Sequence, residues 1–446
     1  MATVKDLTTG NLRSHLYKLA LPIMGTSFVQ MAYSFTDMAW LGRLSSEAVA
    51  AVGTISVFLW IAHSIAYFNK TGSEVTIAQS IGRNDIDLAR VYASHNTTLS
   101  FIIGVSVALL FGFFATEMVD LYLLEPEVRA DALTYMYISL IGFPEIFLTA
   151  ALFGIYNASG NSSVPFRVLG LGLVCNMVLD PLLIHAMNLG VAGAAWATVL
   201  SQLITLIYFL YRLRIKDHLF ERFPLLTRLK WPLVWRITQI GLPAASLNVL
   251  FALVSIYMGR LASSVGGHIG VATLTTGGQL EALTWNTSQG ITTALCTIVG
   301  QNHAAGKRDR VYSTYRIALA HTLFIGLIGT LIFVFWGEGL FALIVPEPAT
   351  YQSGAVYLRI SGYSQIFMMA EITTQGLFYG MGRSYLPAGI SIFGNYLRIP
   401  IALYFISLGW GLEAIWWAIS LSSMLKGLLS VLALLWIYKR KRTSIA

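Results

Sequence analysis

The chain has 446 residues, of which 56% are hydrophobic and only 11% are charged, and its mean hydropathy is +0.67. Soluble domains carry about 25% charged residues because their surface faces water, so this composition excludes an ordinary soluble protein. The formal net charge of +8 comes from basic residues that lie between apolar segments, which is typical of a membrane protein and gives no reason to expect a nucleic-acid partner.

Long apolar runs, separated by Gly, Pro and charged residues, predict an all-α membrane protein. A helix of about 20 apolar residues crosses a hydrocarbon core about 30 Å thick. The runs are about twice as long as the ~10-residue alternating segments of a β-barrel. Twelve spans are predicted, at residues 14–42, 48–70, 94–115, 132–157, 165–186, 189–211, 236–262, 270–300, 314–336, 354–380, 386–407 and 410–438.

Lys and Arg are distributed unequally among the connections between these spans. With both termini on the same side, that side receives most of them, including Arg83 and the basic run from Arg212 to Arg236. The other side receives only Arg43, Arg129 and Arg260. The positive-inside rule therefore predicts that both termini are cytoplasmic.

An internal repeat relates the two halves of the chain. Six predicted helices form one unit, and because six is even both units insert with the same orientation, which is a transporter architecture with its binding site between the halves. We predict an N-terminal lobe of residues 1–213, a cytoplasmic linker of residues 214–235 and a C-terminal lobe of residues 236–446. The residues that recur at an offset of 222 are Tyr135, Ile138, Ser139, Gly160, Ser162 and Pro165, matched by Tyr357, Ile360, Ser361, Gly382, Ser384 and Pro387.

Four polar residues of the first half are predicted to share one depth in the membrane. They are Asp37 on the first helix, Asn176 and Asp180 one turn apart on the fifth, and Thr198 on the sixth. At 1.5 Å per residue all four lie about 9 to 15 Å below the outer surface. Burying an ionised side chain at mid-span costs at least ~2.5 to 3.5 kcal/mol, so acids at this depth indicate a functional site.

Two interpretations of this acidic cluster remain open at the level of sequence. Two carboxylates in a low dielectric do not both stay ionised easily, so Asp37 and Asp180 form either a protonatable pair or a site for a monovalent cation with Asn176 and Thr198 as neutral ligands. Alternatively, Asp180 and Asn176 only form hydrogen bonds between neighbouring helices. Pro22, about 22 Å from Asp37 along the first helix, removes one backbone hydrogen bond and is a candidate hinge.

The second half carries different buried charges. They are Glu281, Glu371 and Arg398, and Arg398 occupies the position that Asn176 has in the first half. Because lone charges at this depth are rare, we expect Arg398 and Glu281 to form a structural ion pair. Glu74 and Glu145 are two further acids within predicted helices that we leave outside the core site.

Several segments resemble the multidrug and toxic compound extrusion (MATE) family across essentially the whole chain. They run from Thr36 to Leu44, from Tyr156 to Asn161, from Asn176 to Pro181 and from Val299 to Gly306. The resemblance implies secondary active efflux of drug-like, mostly cationic small molecules, driven by H⁺ or Na⁺, by a monomer in a prokaryotic inner membrane. It implies no cofactor, and no metal ion other than Na⁺.

The resemblance also assigns roles to residues. In that family a cluster in the N-terminal lobe couples ion to drug, and its members match Asp37, Asn176, Asp180 and Thr198. Members of the NorM-type branch carry an acid in the seventh helix, whereas residues 236–260 contain none here. This difference favours the DinF-type branch.

Two other functions are consistent with a twelve-helix chain. A lipid-linked oligosaccharide flippase of related fold would need a basic central cavity for phosphates, and the predicted cluster is acidic. A receptor or scaffold without transport would have no use for repeated six-helix lobes. The sequence shows no nucleotide-binding loop, catalytic triad or metal-ligand spacing, so we do not expect an enzyme.

Overall fold

The computed structural model describes residues 4–122, 124–221, 223–345 and 347–443. Within these ranges the regular structure is helical, and no strand is present. π-Helical turns at Leu182–Ala186 and Arg212–Lys216 extend two of the helices. The α-helices are α1 (Leu12–Leu44), α2 (Ser46–Gly82), α3 (Ile86–Phe113), α4 (Ala115–Asp120), α5 (Pro126–Ile141), α6 (Phe143–Ala158), α7 (Ser163–Pro181), α8 (Gly190–Tyr211), α9 (Trp231–Ala304), α10 (Arg308–Ile344), α11 (Pro348–Gly380), α12 (Tyr385–Ser407) and α13 (Glu413–Thr443).

The helices agree with an all-α membrane protein of twelve spans. In the described part of the chain, eight helices are long and apolar enough to cross a membrane, or nine if the bent pair α5 and α6 is one crossing. α9 has 74 residues, which is long enough for two crossings. α1 and α11 have 33 residues each and run among the other helices.

The seventh and eighth predicted spans are the two arms of α9, which reverses at Gly267. This glycine has φ 56° and ψ −140°, a backbone conformation that residues other than glycine rarely adopt. A Cβ placed on Gly270 would lie 2.3 Å from the Ala262 carbonyl oxygen, whereas residues eight apart in a straight helix are separated by about 12 Å. The first arm therefore folds back against the second, and it begins at Trp231, before the predicted start at residue 236.

The fourth predicted span, residues 132–157, is two helices that meet at an angle of 48°. Gly142 separates α5 from α6, and Pro144 lies in the first turn of α6. A proline fits there because the first backbone N–H groups of a helix have no partner within the helix. The bend tilts α6, which follows Gly142, away from the axis of α5.

The internal repeat is visible in the turns at one end of the bundle. Asn84 and Gly306, which are 222 residues apart, have φ values of 59° and 74°. Gly160 and Gly382, at the same offset, have φ values of 79° and 72°. We call the end of the bundle that carries these four turns the linker face, and the opposite end the distal face.

We refer to α1–α8 as the N-lobe and to α9–α13 as the C-lobe. Tyr135 is part of the buried core of the N-lobe, and its repeat equivalent Tyr357 packs edge-on against Trp416 in the core of the C-lobe. The lobes contact each other mainly through α1, α2 and α9. The interface is thus built by the first two helices of the N-lobe and both arms of α9.

Candidate functional site

The two acids of the N-lobe lie in one buried cluster near the distal face. Asn176 and Asp180 on α7 are 0% and 1% exposed, and Asn176 Nδ2 donates a hydrogen bond of 3.2 Å to Asp180 Oδ1. The carboxyl group of Asp37 on α1 interacts with the side chains of Asp180, Asn176 and Thr198. The four residues that share a predicted depth are therefore brought together by α1, α7 and α8.

Three oxygen atoms of this cluster are buried without a hydrogen-bond partner among the described residues. They are Asp37 Oδ1, Asn176 Oδ1 and Asp180 Oδ2. Leaving a buried polar atom unsatisfied costs about 1 to 3 kcal/mol, and more for a charged group. Oxygen atoms from two carboxyl groups and one amide are hard ligands, suited to a proton shared between the acids or to a small monovalent cation.

Two tyrosines complete the surroundings of the acids. The hydroxyl group of Tyr33, one turn before Asp37 on α1, is hydrogen-bonded to Ser201 of α8. Tyr135 of α5 interacts with Thr198 and with both acids. Tyr135 was noted in the sequence only as a residue of the internal repeat, because it lies on a different helix, about 40 residues before Asn176.

Pro22 lies within α1 on the linker-face side of Asp37. The helix is continuous from Leu12 to Leu44, and Thr26 Oγ1 donates to the Pro22 carbonyl oxygen over 3.0 Å. Proline has no N–H, so the Lys18 carbonyl lacks its usual partner one turn earlier. The place at which α1 can bend at low cost is therefore separated from the acidic cluster by several turns of the same helix.

The charges of the C-lobe are paired differently from the prediction. Glu371 forms an ion pair with Lys426, Oε2 to Nζ 3.2 Å, and both side chains are buried. Arg398 Nε donates to Ser422 over 2.8 Å and its Nη2 donates to Ser423 over 3.3 Å. Lys426 was not among the buried charges expected from the sequence, which were Glu281, Glu371 and Arg398.

The predicted ion pair between Arg398 and Glu281 is not formed in the described part of the chain. The two groups interact only at longer range, and within the described ranges no ion pair of 4.0 Å or less joins them. Glu281 instead interacts with Ser361 and Tyr357. The Arg398 guanidinium is held by the serines of α13, and this orientation keeps it away from Glu281.

The two lobes are joined by reciprocal hydrogen bonds close to the linker face. Gln79 Nε2 of α2 donates to the Gly380 carbonyl oxygen of the C-lobe, and Gln301 Nε2 of α9 donates to the Ala158 carbonyl oxygen of the N-lobe, both over 3.0 Å. Gln79 and Gln301 are 222 residues apart, as are Ala158 and Gly380. Each lobe thus makes the same contact with the other around an approximate two-fold axis.

The N-terminal segment strengthens the closure at the linker face. The Leu7 amide donates to Gln301 Oε1 over 2.9 Å, and the Leu7 carbonyl oxygen accepts from Asn302 and Arg310. The Lys5 amide donates to the Ser159 carbonyl oxygen of the N-lobe over 3.0 Å. Residues 5–7 therefore contact both lobes at the linker face.

Glu74, which was not expected to belong to the core site, lies at the lobe interface. It is 4% exposed, and its Oε1 accepts a hydrogen bond of 2.9 Å from Thr297 Oγ1 on the second arm of α9. One turn earlier, Lys70 Nζ lies 4.8 Å from the centre of the Tyr67 ring. Glu145, in the first turn of α6, is 8% exposed, and its Oε1 has no partner among the described residues.

Comparisons with known proteins identify similar sequences and folds. A family model described as MatE matches residues 22–182 and again residues 243–404, once in each half. A probable multidrug resistance protein NorM of Thermotoga maritima is 27% identical over 411 residues, covering 88% of this chain and 85% of that protein. A probable multidrug resistance protein YpnP of Bacillus subtilis is 26% identical and covers 84% of each chain.

A solved structure shares the fold of the whole chain. It is described as the outward-facing conformation of a multidrug resistance MATE family transporter of the MOP superfamily, and it superposes with a TM-score of 0.90 at 23% identity. The match covers 98% of this chain and 97% of the other.

Proposed function

This chain belongs to the MatE family of membrane transporters, and from that membership we propose that it is a secondary active multidrug efflux antiporter. It is a multi-pass membrane protein and a transporter, not an enzyme. The proposed substrates are lipophilic, often cationic small molecules, exchanged for H⁺ or Na⁺. The absence of an acid from residues 236–260 keeps the DinF-type branch as our prediction.

The observation that carries the proposal is the group of three buried oxygen atoms on Asp37, Asn176 and Asp180 that have no hydrogen-bond partner among the described residues. A proton or Na⁺ supplied from outside would satisfy them and neutralise the acids. Each unit charge that moves inward releases about 2.3 kcal/mol per 100 mV of membrane potential. Coupling requires that ion and drug favour different states of the protein, since a ligand with equal affinity for both states shifts nothing.

The position of the closure supports an alternating-access mechanism. The hydrogen bonds of Gln79, Gln301 and Leu7 hold the lobes together at the linker face, while the acidic cluster lies toward the distal face. With the linker face cytoplasmic, as the positive-inside bias predicts, this arrangement supports an outward-facing state. Ion binding at Asp37 would reshape α1, with Pro22 as the hinge, and displace the drug.

The proposed setting is a prokaryotic inner membrane with both termini in the cytoplasm, and the proposed unit is a monomer. Bacterial relatives and the basic linker support this setting. The flippase alternative needs a cavity of net positive charge, whereas the interface cavity contains Glu74 beside Lys70. The receptor alternative is disfavoured by membership of a transporter family.

Driven efflux from proteoliposomes tests the proposal. Efflux of a fluorescent cation is measured with the proton gradient and the sodium gradient imposed separately on the wild type, on Asp37→Asn and on the control Glu117→Gln, an exposed acid outside the cluster. We expect Asp37→Asn to abolish gradient-driven efflux and Glu117→Gln to retain it. Full driven efflux by Asp37→Asn would exclude this coupling mechanism.

A further inference from the structure

A groove on the surface of the N-lobe is bordered on one side by the linker between the lobes. Its volume is about 190 Å³. Phe101 of α3 and Leu226 of the linker belong to its lining and are both exposed, so the groove is open to the surroundings of the bundle. The other apolar side chains that line it are Leu148 and Leu152 of α6, Leu206 and Leu210 of α8, and Leu225 of the linker.

The linker is held in this position by hydrogen bonds to α3. The Leu225 carbonyl oxygen accepts from Thr97 Oγ1 over 2.7 Å, and the Thr227 amide donates to Thr98 Oγ1 over 3.0 Å. A polar backbone that is paired in this way keeps its place against the helix. The groove is therefore a built part of the fold rather than a gap beneath a loose segment.

The lining of the groove is suited to hydrocarbon and not to water. Thr97 is the only polar residue among the eight described residues that line it. The Thr97 hydroxyl group already lies within hydrogen-bonding distance of the carbonyl oxygens of Ala93, Ser94 and Leu225. A buried water molecule needs about two to four polar partners, which this surface does not offer. An apolar chain instead gains free energy from the area that it removes from water.

The groove lies at the depth where the membrane surface is expected. The predicted third span begins at residue 94, and Phe101 lies about two turns further along α3. Leu152 and Leu148 lie 6 and 10 residues before the end of α6 at Ala158, which is about 9 and 15 Å from the linker face. With the linker face in the cytoplasm, as proposed, the groove opens into the cytoplasmic leaflet.

Basic and aromatic side chains lie beside the linker end of the groove. Arg228 and Lys230 follow Leu226 by two and four residues, so their backbones lie within about 14 Å of the groove, and both side chains are exposed. Trp231 and Trp235, at the start of α9, are also exposed, and their rings are stacked with centres 6.3 Å apart. Exposed tryptophans are typical of the level of the lipid headgroups.

These features together select a lipid with a negatively charged headgroup. Basic residues just outside the membrane attract the anionic lipids of the cytoplasmic leaflet. From the groove and the charges beside it, we propose that the N-lobe binds one anionic phospholipid, with an acyl chain in the groove and the phosphate near Arg228 and Lys230. The bound lipid contacts α3, α6, α8 and the linker together, and so holds the linker against the N-lobe.

The corresponding place in the C-lobe is packed differently. At the offset of 222 residues, Leu152 corresponds to Thr374, which is hydrogen-bonded to Tyr315 over 2.9 Å. Tyr315 in turn corresponds to Ala93, which lies one turn before Thr97. A large buried side chain of the C-lobe is thus replaced by a methyl group in the N-lobe. The groove therefore depends on residues particular to the N-lobe and not on the duplicated fold alone.

Photo-crosslinking locates the lipid on the unaltered chain. The purified full chain in detergent is irradiated with a phosphatidylglycerol that carries a diazirine in its acyl chain, and the labelled peptides are mapped by mass spectrometry. We expect labelling within residues 97–101, 148–152 and 206–210. Unlabelled phosphatidylglycerol should compete, and phosphatidylcholine with the same chains should not. Labelling spread evenly over the apolar surface of both lobes would overturn the proposal.

Native mass spectrometry measures the selectivity for the headgroup. We expect the wild type to bind one phosphatidylglycerol at least about tenfold more tightly than phosphatidylcholine with the same chains. Arg228→Gln with Lys230→Gln should raise the Kd for phosphatidylglycerol about tenfold and leave that for phosphatidylcholine unchanged. The control Arg13→Gln with Arg308→Gln removes two exposed charges of the same end of the bundle and should change neither Kd. Equal selectivity in the wild type and the linker variant contradicts the assignment of the headgroup.

Filling the groove tests the position of the acyl chain. Leu148→Trp should raise the Kd for both lipids about tenfold or more and keep their ratio, because both lipids use the same chain site. Val174→Trp, at an exposed position of α7, is the control and should change neither Kd. Leu210→Trp fills the groove from α8 and takes the place of Leu148→Trp if that variant does not fold. Unchanged Kd values in a folded variant with a filled groove would exclude the acyl chain from it.

The lipid site and the coupling of ion to drug are tested independently. The binding measurements use no gradient, and Asp37→Asn is expected to bind phosphatidylglycerol as the wild type does. If Asp37→Asn keeps driven efflux, the coupling proposal fails and the lipid site stands. If driven efflux depends on Asp37 but labelling is spread over the whole apolar surface, only the lipid site fails.

Discussion

Gln79 and Gln301 occupy equivalent positions in the two repeats, and each donates a hydrogen bond of 3.0 Å to the backbone of the opposite lobe. The contact is formed twice because the two halves of the chain are repeats of one another. These two hydrogen bonds help to close the linker face. Because they lie apart from the acidic cluster, they can be removed without changing its residues.

Replacing both glutamines should favour opening at the linker face. Each buried hydrogen bond contributes about 0.5 to 1.5 kcal/mol, so Gln79→Ala with Gln301→Ala is expected to shift the equilibrium between closed and open by roughly tenfold. Spin labels on Asp87 and Asp309, which are exposed equivalents on the two lobes, report this distance by pulsed electron resonance. The exposed control Gln352→Ala should leave the distances unchanged; an unaltered distribution in the double variant would exclude a gating role.

The hydroxyl group of Thr198 is expected to contribute to ion affinity. Thr198→Val keeps the shape of the side chain and removes the oxygen, and we expect the proton or Na⁺ concentration at half-maximal efflux to rise about tenfold, equivalent to about 1.4 kcal/mol. Thr198→Ser should restore the wild-type value, since it retains the hydroxyl. If Thr198→Val and the wild type reach half-maximal efflux at the same ion concentration, Thr198 does not contribute to ion binding.

Tyr135 and Tyr357 provide a matched comparison between the lobes. Both tyrosines are buried and lie at equivalent positions, but Tyr135 faces Asp37 and Thr198 whereas Tyr357 lies near Glu281. Tyr135→Phe should change the ion dependence of efflux, and Tyr357→Phe should leave it unaltered. The dependence is measured in proteoliposomes over a range of pH and of Na⁺. An identical response of the two variants would contradict a special role of the N-lobe.

The Glu371–Lys426 pair is expected to stabilise the C-lobe. Lys426→Met leaves a buried carboxylate without its ion pair, and breaking such a pair costs about 3 to 5 kcal/mol. Glu371→Gln combined with Lys426→Met removes both charges and should recover most of the loss. Thermal unfolding in detergent of the two single variants and the double variant forms a double-mutant cycle, in which additive losses would show that the two groups do not interact.

The double variant Glu371→Gln with Lys426→Met also tests whether this ion pair takes part in transport. If the pair is structural, the double variant should retain gradient-driven efflux at a temperature at which it is folded. Loss of driven efflux in a folded double variant would instead assign the C-lobe charges a part in transport.

The amino-acid sequence by itself determined the class of protein, the number of spans, the repeat and the pairing of Asn176 with Asp180. These features depend on composition and on the local 3.6-residue period of a helix, which places residues four apart on one face. The acids could be identified because burying an ionised side chain in the membrane costs free energy. An acid within an apolar run is therefore unusual whatever the tertiary structure. Asp37 and Asp180 were therefore recognisable before any contact was known, and Thr198 was added because it shares their predicted depth.

The tertiary structure alone decided which distant side chains meet. It joined Tyr135 to the acids, paired Glu371 with Lys426 in place of the expected Arg398–Glu281 contact, and set Glu74 against Thr297 across the lobes. Such contacts depend on how each helix is rotated and tilted against its neighbours. That orientation is set by the packing of side chains from the whole bundle, so no local pattern in the sequence encodes it.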